Sequence, residues 1–308
     1  MRKNILVTGA NGQVGSELQK LVSNGAFSGS QFYFTDKDSL DITDYNATKA
    51  YLEENSIDTI INCAAYTAVD KAEEHPDAVY AINTTAVEQL AKLAKEFSIV
   101  LIHISTDYVF DGKTHLPINE EHPTNPQGVY AKSKKEAEDK ILEINPKGAL
   151  IIRTSWIYNH SGQNFLNTML RLGQERDSLS VVCDQIGTPT YARDLARAIL
   201  DILQSDYDFN QDAQIYHYSN EGSCSWYDFA QAIFESANID CHLTPITSEE
   251  YPTAAKRPAY SVLSKEKIKR DFKLKIPYWG ESLKSCLSLV EIPKQKEYKI
   301  GVIGSGFI

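Results

Sequence analysis

Tyr130 and Lys134 are the two residues whose types and spacing point most directly to chemistry. They lie four positions apart, so a helix would place both side chains on one face. A nearby ammonium favours a phenolate and would lower the pKa of Tyr130 from about 10. Tyr130 could then donate a proton to a carbonyl that is being reduced. This spacing is common on helix surfaces, so the prediction needs support from other parts of the chain.

Part of that support comes from the Ser-Thr-Asp-Tyr run at residues 105–108. Thr106 lies where a predicted strand ends, and its hydroxyl could bind the same carbonyl oxygen as Tyr130. We therefore predict Thr106, Tyr130 and Lys134 as the catalytic residues.

A glycine-rich turn follows the first predicted strand, with Gly9, Gly12 and Gly15 in a GxxGxxG pattern. Such glycines permit a tight turn, close approach of the backbone to a pyrophosphate and close packing of the next helix. The free N–H groups and positive end of that helix attract phosphates. Gln13 and Val14 complete the predicted phosphate-binding turn.

The second strand leads to Asp36, 21 residues after Gly15. An acid there can bind the adenosine ribose and would favour NADH, whereas Lys37 could accept the 2′-phosphate of NADPH. The sequence leaves this choice open. Asp41 and Ile42 are predicted to contact the adenine.

Further cofactor contacts are predicted at the carboxyl ends of the next two strands, where small residues let a ligand approach the backbone. Alternatively, Ala64 could simply pack a helix on the sheet. These predicted contacts are Ala64, Ala65, Tyr66, Thr67 and Ile104, in addition to Tyr130 and Lys134.

Short apolar strands alternate with helical patterns through the first half of the chain, which predicts a parallel sheet covered on both faces. The predicted strands are residues 5–7, 32–34, 58–62, 99–104 and 150–152. The intervening helices include residues 13–22, 45–54 and the segment carrying Tyr130. The fold class is therefore α/β, a Rossmann-type doubly wound parallel sheet with a smaller C-terminal α/β substrate lobe.

The alternation weakens beyond about Trp156. We predict a dinucleotide-binding domain over residues 1–160 and a mainly substrate-binding lobe over 161–292, with some segments returning to the first domain. Helices are expected at 165–174, 191–203 and 226–237, the last capped by Ser225, and a strand at 215–219. Residues 293–308 form a tail of unclear role, with a strand-like stretch at 298–303 before a Gly-Ser-Gly run.

Composition excludes several classes of protein. A net charge of −10 argues against non-specific nucleic-acid binding. The five cysteines form no CxxC pair and the seven histidines show no ligand spacing, so we predict reduced thiols and no metal ligands. No apolar run reaches the roughly 20 residues of a membrane span, and no signal peptide is evident, which predicts a cytoplasmic protein without a membrane partner.

Taken together, these motifs resemble the extended short-chain dehydrogenase/reductases and, more narrowly, the dTDP-4-dehydrorhamnose reductase family. The resemblance covers about residues 3–290. Its matching runs are GQVG at 12–15, AAYTAVDKAE at 64–73, STDYVF at 105–110, VYAKSK at 129–134, RTSWIY at 153–158, DQIGTPT at 184–190 and RP at 257–258.

The resemblance implies reduction of the 4-keto group of a dTDP-sugar, dTDP-4-dehydro-L-rhamnose, with NADPH or NADH as cofactor. It implies that Tyr130 protonates the new alkoxide and that Lys134 binds the nicotinamide ribose and tunes Tyr130. Thr106 and Asp107 would contact the sugar, Trp156 would pack on it and Arg257 would bind the diphosphate. Before the family is considered, core filling is an equally good role for Trp156.

Two features, at three positions, depart from the family pattern. Some members use Mg²⁺ and glutamates at a dimer interface, and Glu17 matches one such position. Arg193 and Leu289 lie where further acids are expected, which argues against a metal-bridged dimer and leaves a monomer or a homodimer. Tyr66 replaces a common histidine.

Two alternative functions remain. One is another nucleotide-sugar epimerase or dehydratase, which uses the same tyrosine–lysine pair but retains a tightly bound NAD. The other is a non-catalytic regulatory subunit. Such subunits can lose the tyrosine or the lysine, and both are present here.

Overall fold

A computed structural model describes residues 3–290 of the 308-residue chain. The predicted strand at 298–303 and the rest of the predicted tail at 293–308 lie outside the described residues. Within the described part, no helix is long and apolar enough to cross a membrane.

Twelve strands are present in this part of the chain. They are β1 Asn4–Thr8, β2 Gln31–Phe34, β3 Thr59–Asn62, β4 Val100–Thr106, β5 Leu150–Thr154, β6 Ile157–Tyr158, β7 Ser178–Val182, β8 Ile186–Gly187, β9 Thr190–Tyr191, β10 Gln214–His217, β11 Cys224–Ser225 and β12 His242–Ile246.

The same residues form eleven α-helices, with a π-helical turn at Ala81–Thr85 and 3₁₀ turns at Asp107–Val109 and Ser248–Glu250. The helices are α1 Gln13–Ser23, α2 Tyr45–Glu54, α3 Val69–Ala72, α4 Pro76–Tyr80, α5 Ala86–Phe97, α6 Gly128–Ile144, α7 Phe165–Glu175, α8 Ala192–Gln204, α9 Trp226–Ala237, α10 Glu266–Phe272 and α11 Trp279–Leu287.

Six strands form one parallel sheet in the order β10-β5-β4-β3-β1-β2. Alternate residues of each strand enter opposite cores: Ile5 and Val7 pack with α1, α8 and α10, whereas Leu6 packs with α2, α5 and α6. The predicted Rossmann-type doubly wound parallel sheet is therefore confirmed. The strand order reverses between β1 and β3, which places the carboxyl ends of β1, β3 and β4 beside one crevice.

The predicted elements match closely, and α2 and α9 have the predicted bounds. Ser225 caps α9 by accepting from the backbone N–H of Asp228, whose carboxylate in turn accepts from the N–H of Ser225. The sequence interpretation missed the short helices α3 and α4 and the π-helical turn, because they are too short to show a hydrophobic period.

A second core lies among α7, α9, α11, β7 and β12, and we call these elements the C-terminal lobe. The chain crosses between the two cores more than once. Helix α8 and strand β10 both come after residue 160, yet they pack in the core of the six-stranded sheet.

Candidate active site

The glycine turn after β1 opens one side of a cavity of about 480 Å³. Gly9 has a φ of +64°, and a Cβ there would lie 2.6 Å from the backbone nitrogen of Ala64. A Cβ on Gly15 would lie 2.4 Å from the carbonyl oxygen of Gly9. Only glycine therefore permits this turn to approach β3 and α1 as closely as it does.

The residues predicted to bind the adenosine line the same cavity. Its wall includes Gly9, Gly12, Asp36, Asp41, Ile42, Ala64 and Ala65. It also includes Lys37, the predicted partner of a 2′-phosphate, and two residues that were not predicted, Asn11 and Leu40. Helix α1 has no side-chain cap at Gly12, so its N-terminus faces the cavity with backbone N–H groups alone. A dinucleotide fits this arrangement, because the close backbone approach leaves room for a pyrophosphate at a helix N-terminus.

Asp36 is engaged by its own loop. One carboxylate oxygen accepts from the hydroxyl and N–H of Ser39 and from the N–H of Asp38, and the other accepts from Asn11. These bonds, chiefly those from Ser39, hold the pKa of Asp36 below its ordinary value. Lys37 is exposed beside it.

A second cavity of about 460 Å³ adjoins the first, and Gly12, Cys63 and Ala65 line both. It brings together the predicted catalytic and sugar-binding side chains, except Arg257. Its wall includes Gln13, Val14, Thr67, Ile104, Thr106, Asp107, Tyr130, Lys134 and Trp156. It also includes Ser155, Gln163, Asn164 and Trp226, which sequence reasoning missed.

Tyr130 lies in the first turn of α6, which begins at a glycine-dependent contact. The backbone N–H of Val129 donates to Oε1 of Glu73 at 2.7 Å, and Gly128 has a φ of +81°, where a Cβ would lie 2.5 Å from the same oxygen. Farther along α6, Thr84 of the π-helical turn donates to the carbonyl of Ser133 at 2.8 Å. The last residue of the AVDKAE run thus helps to position Tyr130.

The side chains of Tyr130 and Thr106 lie beside each other on the wall of this cavity, as the predicted catalytic grouping requires. The prediction that Lys134 lowers the pKa of Tyr130 is wrong for this structure. Loss of hydration at the Tyr130 hydroxyl raises its pKa to about 12, with a smaller contribution from the charge of Asp107. Lys134 instead donates to the carbonyl of Ile104 at 2.7 Å and contacts the His103 ring, so its amine is engaged at the floor of the site.

Buried charge holds α6 against the sheet behind these residues. Arg153 donates to both carboxylate oxygens of Glu138, at 2.9 and 2.7 Å, and Ser105 donates to Oε1 of Glu138 at 2.6 Å. Helix α6 is thereby joined to β4 and β5 at the level of the predicted catalytic residues.

Asp107 is 2% exposed, and its Oδ2 atom has no hydrogen-bond partner. Burial raises the pKa of this carboxyl to about 6, although the nearby side chains of Ser261 and Thr106 favour its charged form. An unpartnered buried acid on the wall of a cavity is suited to bind a ligand hydroxyl.

Two tryptophans form the wall toward the C-terminal lobe. Trp156, with a φ of +47°, stacks on Trp226 with the ring centroids 3.6 Å apart. A Cβ on Gly187 would lie 2.5 Å from the Trp156 ring, which explains why the DQIGTPT run has a glycine there. The only sequence signal for Trp226 was its place next to the Ser225 cap.

Arg257 and Tyr66 lie outside the two cavities. Arg257 forms an ion pair with Asp70 at 2.7 Å and lines a small recess with Tyr108, which also borders the second cavity. Tyr66 is held through its backbone by Asn83. Gly15 is buried in α1 and acts through packing. A separate depression of about 630 Å³ on α9 and β12 contains no predicted site residue.

The surroundings of Glu17 do not fit Mg²⁺. One carboxylate oxygen accepts from Lys20 at 2.8 Å and Asn159 at 3.1 Å, and the other has no partner. Burial lowers the pKa of the neighbouring His160, and the charges of Lys20 and Arg193 add to this effect. Among residues 3–290 no three acidic, histidine or cysteine side chains are grouped to hold a metal, whereas Mg²⁺ needs several oxygen ligands.

Comparison with known proteins gives a consistent result. The family model described as RmlD substrate binding domain matches residues 2–292. A dTDP-4-dehydrorhamnose reductase from Aggregatibacter actinomycetemcomitans is 40% identical, over 93% of this chain and 99% of its own length.

Two solved structures are also similar. A dTDP-4-dehydrorhamnose reductase from Clostridium acetobutylicum is 43% identical with a TM-score of 0.86, covering 93% of this chain and 99% of that one. One from Bacillus anthracis in complex with NADP is 38% identical with a TM-score of 0.87, covering 94% and 99%. The chain therefore belongs to the dTDP-4-dehydrorhamnose reductase family, a group of NAD(P)-dependent oxidoreductases with a Rossmann-type fold.

Proposed function

We propose that this chain reduces the 4-keto group of dTDP-4-dehydro-L-rhamnose to give dTDP-L-rhamnose, with NADPH or NADH as the reductant. The observation that carries the proposal is the grouping of Tyr130, Thr106 and Lys134 in a cavity that adjoins a dinucleotide-shaped one. Family membership supplies the substrate class.

The cofactor would extend across both cavities. Gly9, Gly12, Gln13, Val14 and Gly15 would form the pyrophosphate turn. The adenosine would lie against Asp36, Asp41, Ile42 and Ala64, and the nicotinamide half against Ala65, Thr67, Ile104, Tyr130 and Lys134. When bound, the reduced nicotinamide supplies the hydride for the sugar C4. Tyr66 would act through its backbone.

Tyr130 gives its phenolic proton to the sugar O4 as C4 gains its new C–H bond. Its pKa of about 12 means that the hydroxyl still carries this proton near neutral pH. Thr106 lies beside the same hydroxyl and would hold O4 next to it. The phenolate left on Tyr130 regains a proton from solvent before the next turnover.

The rest of the substrate would lie against the C-terminal lobe. Asp107 has a free buried oxygen for a sugar hydroxyl. Trp156, supported by Trp226, offers a flat apolar surface for the sugar ring. Arg257 would draw the diphosphate toward the edge of the cavity, where Asp70 already orients its guanidinium.

We also propose that both cofactors are used and that NADPH binds more tightly. Asp36 is occupied by donors from its own loop, while Lys37 is free to meet a 2′-phosphate. The Bacillus anthracis relative binds NADP. Lys37→Ala should raise the KM for NADPH by about tenfold, the equivalent of one lost charged contact. The KM for NADH should change little, and equal changes for both cofactors would contradict this role.

The reductase proposal is tested by mixing the purified chain with NADPH or NADH and the 4-keto sugar nucleotide, and following the absorbance of the reduced cofactor. EDTA is added in a parallel reaction. We expect oxidation of the cofactor with and without EDTA, because the surroundings of Glu17 do not suit Mg²⁺. No oxidation with either cofactor would refute the reductase proposal.

Tyr130→Phe should reduce kcat by about 10²- to 10⁴-fold, the range of a positioned proton donor. Cofactor affinity, measured by fluorescence titration, should stay near that of the wild type because the ring remains. Near-normal turnover would remove Tyr130 from the mechanism.

The same experiments separate the alternatives. An epimerase or dehydratase would purify with bound NAD and would convert its sugar nucleotide without consuming added NADPH. A non-catalytic regulatory subunit would be inactive with every cofactor, and its Tyr130→Phe variant would behave as the parent does. We favour the reductase because Tyr130 and Lys134 both line the second cavity and the similar relatives are reductases.

A further inference from the structure

Tyr108 lies between the predicted catalytic residues and Arg257, and the proposed function gives it no role. It belongs to the short 3₁₀ turn Asp107–Val109 that follows β4, within the STDYVF run. Its side chain lines both the second cavity and the small recess beside Arg257, and no other described residue lines both. A ligand that extends from Tyr130 to Arg257 therefore passes Tyr108.

The local structure holds Tyr108 in this position. Its backbone N–H donates to Oγ1 of Thr106 at 3.2 Å. The next two residues, Val109 and Phe110, are buried in a separate apolar cluster, which anchors the turn from its other side. The Tyr108 ring meets the Tyr130 ring edge to face, with the centroids 5.7 Å apart and the planes at 82°. These contacts fix the Tyr108 ring relative to the predicted proton donor.

The Tyr108 hydroxyl is available to a ligand. Within residues 3–290 it forms no hydrogen bond. The hydroxyls of Tyr158 and Tyr191 also lack partners, but both are sealed in the core of the C-terminal lobe. The Tyr108 side chain is instead partly buried on a cavity wall. A polar group that is held there without a protein partner can be satisfied by a bound molecule.

This hydroxyl is a hydrogen-bond donor near neutral pH. Burial raises the pKa of Tyr108 above its ordinary value, and the charge of Asp107 adds to the effect. The charge of the nearby Arg257 acts in the opposite direction without outweighing burial. A phenol that keeps its proton beside a guanidinium can donate to the same anionic oxygen that the guanidinium attracts.

The recess next to Tyr108 suits an anion. Arg257 and Lys256 both line it, and Lys256 is exposed. One acid, Asp111, is on the same wall, but its carboxylate accepts from Asn125 at 3.1 Å and lies 3.7 Å from Nζ of Lys113. The cations on this wall therefore outnumber the acids, and the acid has partners of its own.

We propose that the Tyr108 hydroxyl donates a hydrogen bond to the phosphate that is joined to C1 of the sugar nucleotide. The inference rests on the proposed function, which has the sugar C4 beside Tyr130 and the diphosphate near Arg257. In such a substrate the sugar-bound phosphate lies between these two ends, as Tyr108 lies between the two residues in the protein. Tyr108 is then a substrate-binding residue that holds this phosphate at a set distance from the carbonyl carbon.

Nucleotide binding without turnover tests this contact. Isothermal titration of the wild type and Tyr108→Phe with dTDP and with dTMP compares a ligand that has the second phosphate with one that lacks it. In Tyr108→Phe we expect the affinity for dTDP to fall by about tenfold, as for one charge-assisted hydrogen bond, and that for dTMP to change by less than about twofold.

Three results of these titrations contradict the proposal. Equal losses for dTDP and dTMP would mean that Tyr108 does not bind the second phosphate. Unchanged affinity for both would place its hydroxyl on another group, such as a sugar hydroxyl, because neither ligand carries the sugar that is reduced. A wild type that binds no dTDP would also overturn the proposal.

Tyr51→Phe is the matched control. The Tyr51 ring is also partly buried and meets another tyrosine, Tyr33, at 88° with the centroids 6.4 Å apart, but it lines neither cavity. This variant should bind both nucleotides as the wild type does. Thermal unfolding should change little in either variant, because the phenylalanine retains the ring contacts.

Steady-state kinetics separate this inference from the proposed function. With the 4-keto sugar nucleotide, Tyr108→Phe should raise the KM by about tenfold and lower kcat by less than about threefold, since Tyr130 keeps its proton. The KM for NADPH should not change. A loss of kcat at unchanged KM would instead give Tyr108 a part in proton transfer and would overturn the assignment.

The two proposals can fail independently. If Tyr108→Phe loses dTDP affinity as expected but the wild type shows no reductase activity with either cofactor, then the proposed function is wrong and the Tyr108 contact stands. If the wild type is an active reductase and Tyr108→Phe binds dTDP normally, then only the Tyr108 contact is wrong.

Discussion

Individual residues of the site have properties that their amino-acid types alone do not predict. The tyrosine–lysine spacing suggested a lysine charge that lowers the tyrosine pKa. In the structure the pKa of Tyr130 is instead raised, because its hydroxyl loses hydration. The Lys134 amine is directed at Ile104 and His103. For a reductase this is the useful direction, since the tyrosine must arrive with its proton.

The buried carboxyl of Asp107 should make the stability of the protein depend on pH. Its pKa rises from 3.8 to about 6 on folding because the carboxyl is buried. The protonated form is favoured in the fold, so this contribution to stability is complete below about pH 3.8 and is lost as the pH rises through 6. Asp107→Asn, which cannot ionise, should be more stable than the wild type at pH 8 by roughly 3 kcal/mol.

Urea unfolding at several pH values tests this expectation. The advantage of Asp107→Asn should shrink toward zero as the pH falls from 6 through 3.8. A gain that is the same at every pH would mean that ionisation of Asp107 is not its cause. The same variant should bind the sugar nucleotide less well. Asp107 would then lower the stability of the protein while it improves substrate binding.

Secondary-structure elements hold the site through close backbone contacts. The glycine turn brings β1, α1 and β3 together at distances that leave no room for a side chain on Gly9 or Gly15. Glu73 meets the start of α6 in a similar way at Gly128. These contacts explain why some motif residues, such as Gly15 and Glu73, matter without lining either cavity.

Gly15→Ala tests the glycine turn. The new Cβ would lie 2.4 Å from the Gly9 carbonyl oxygen and 2.7 Å from Cα of Ala10, and both belong to the backbone. We expect the free energy of unfolding to fall by about 1–3 kcal/mol and cofactor affinity by at least about tenfold, as the turn is displaced. Isothermal titration with NADPH and urea unfolding measure the two effects.

A matched control is Gly25→Asn. Gly25 has a positive φ, of +80°, and no heavy atom lies within 4 Å of the position of its Cβ. Asparagine tolerates this backbone region, so both quantities should stay near those of the wild type. Unchanged cofactor affinity in Gly15→Ala would show that the turn does not need this close contact.

At the scale of the whole molecule, the chain folds back on itself. Strand β10 pairs with β5 and completes the sheet, and α8 covers the face that carries Ile5 and Val7. The second cavity likewise takes Tyr130 from α6 and Trp226 from α9. The division at residue 160 stays a prediction, and it describes roles better than folding units.

A fragment of residues 1–160 tests that division. It lacks β10 and α8, so it would leave β5 as an open edge and expose the apolar face that α8 covers. We expect the fragment to aggregate or to unfold without cooperativity, in circular dichroism and size-exclusion measurements. A monomeric fragment that unfolds cooperatively and binds NADPH would show that the first domain folds alone.

The sequence by itself determined the order of the main strands and helices, the glycine turn and the residues predicted as the catalytic group, because periodicity, turn chemistry and short motifs are local properties of a chain. Only the tertiary structure decided that Trp226 stacks on Trp156, that Arg257 pairs with Asp70 and that His103 faces Lys134. These contacts join residues far apart in sequence. The pKa values of Tyr130 and Asp107 belong to the same class, since they depend on which atoms the finished fold removes from water.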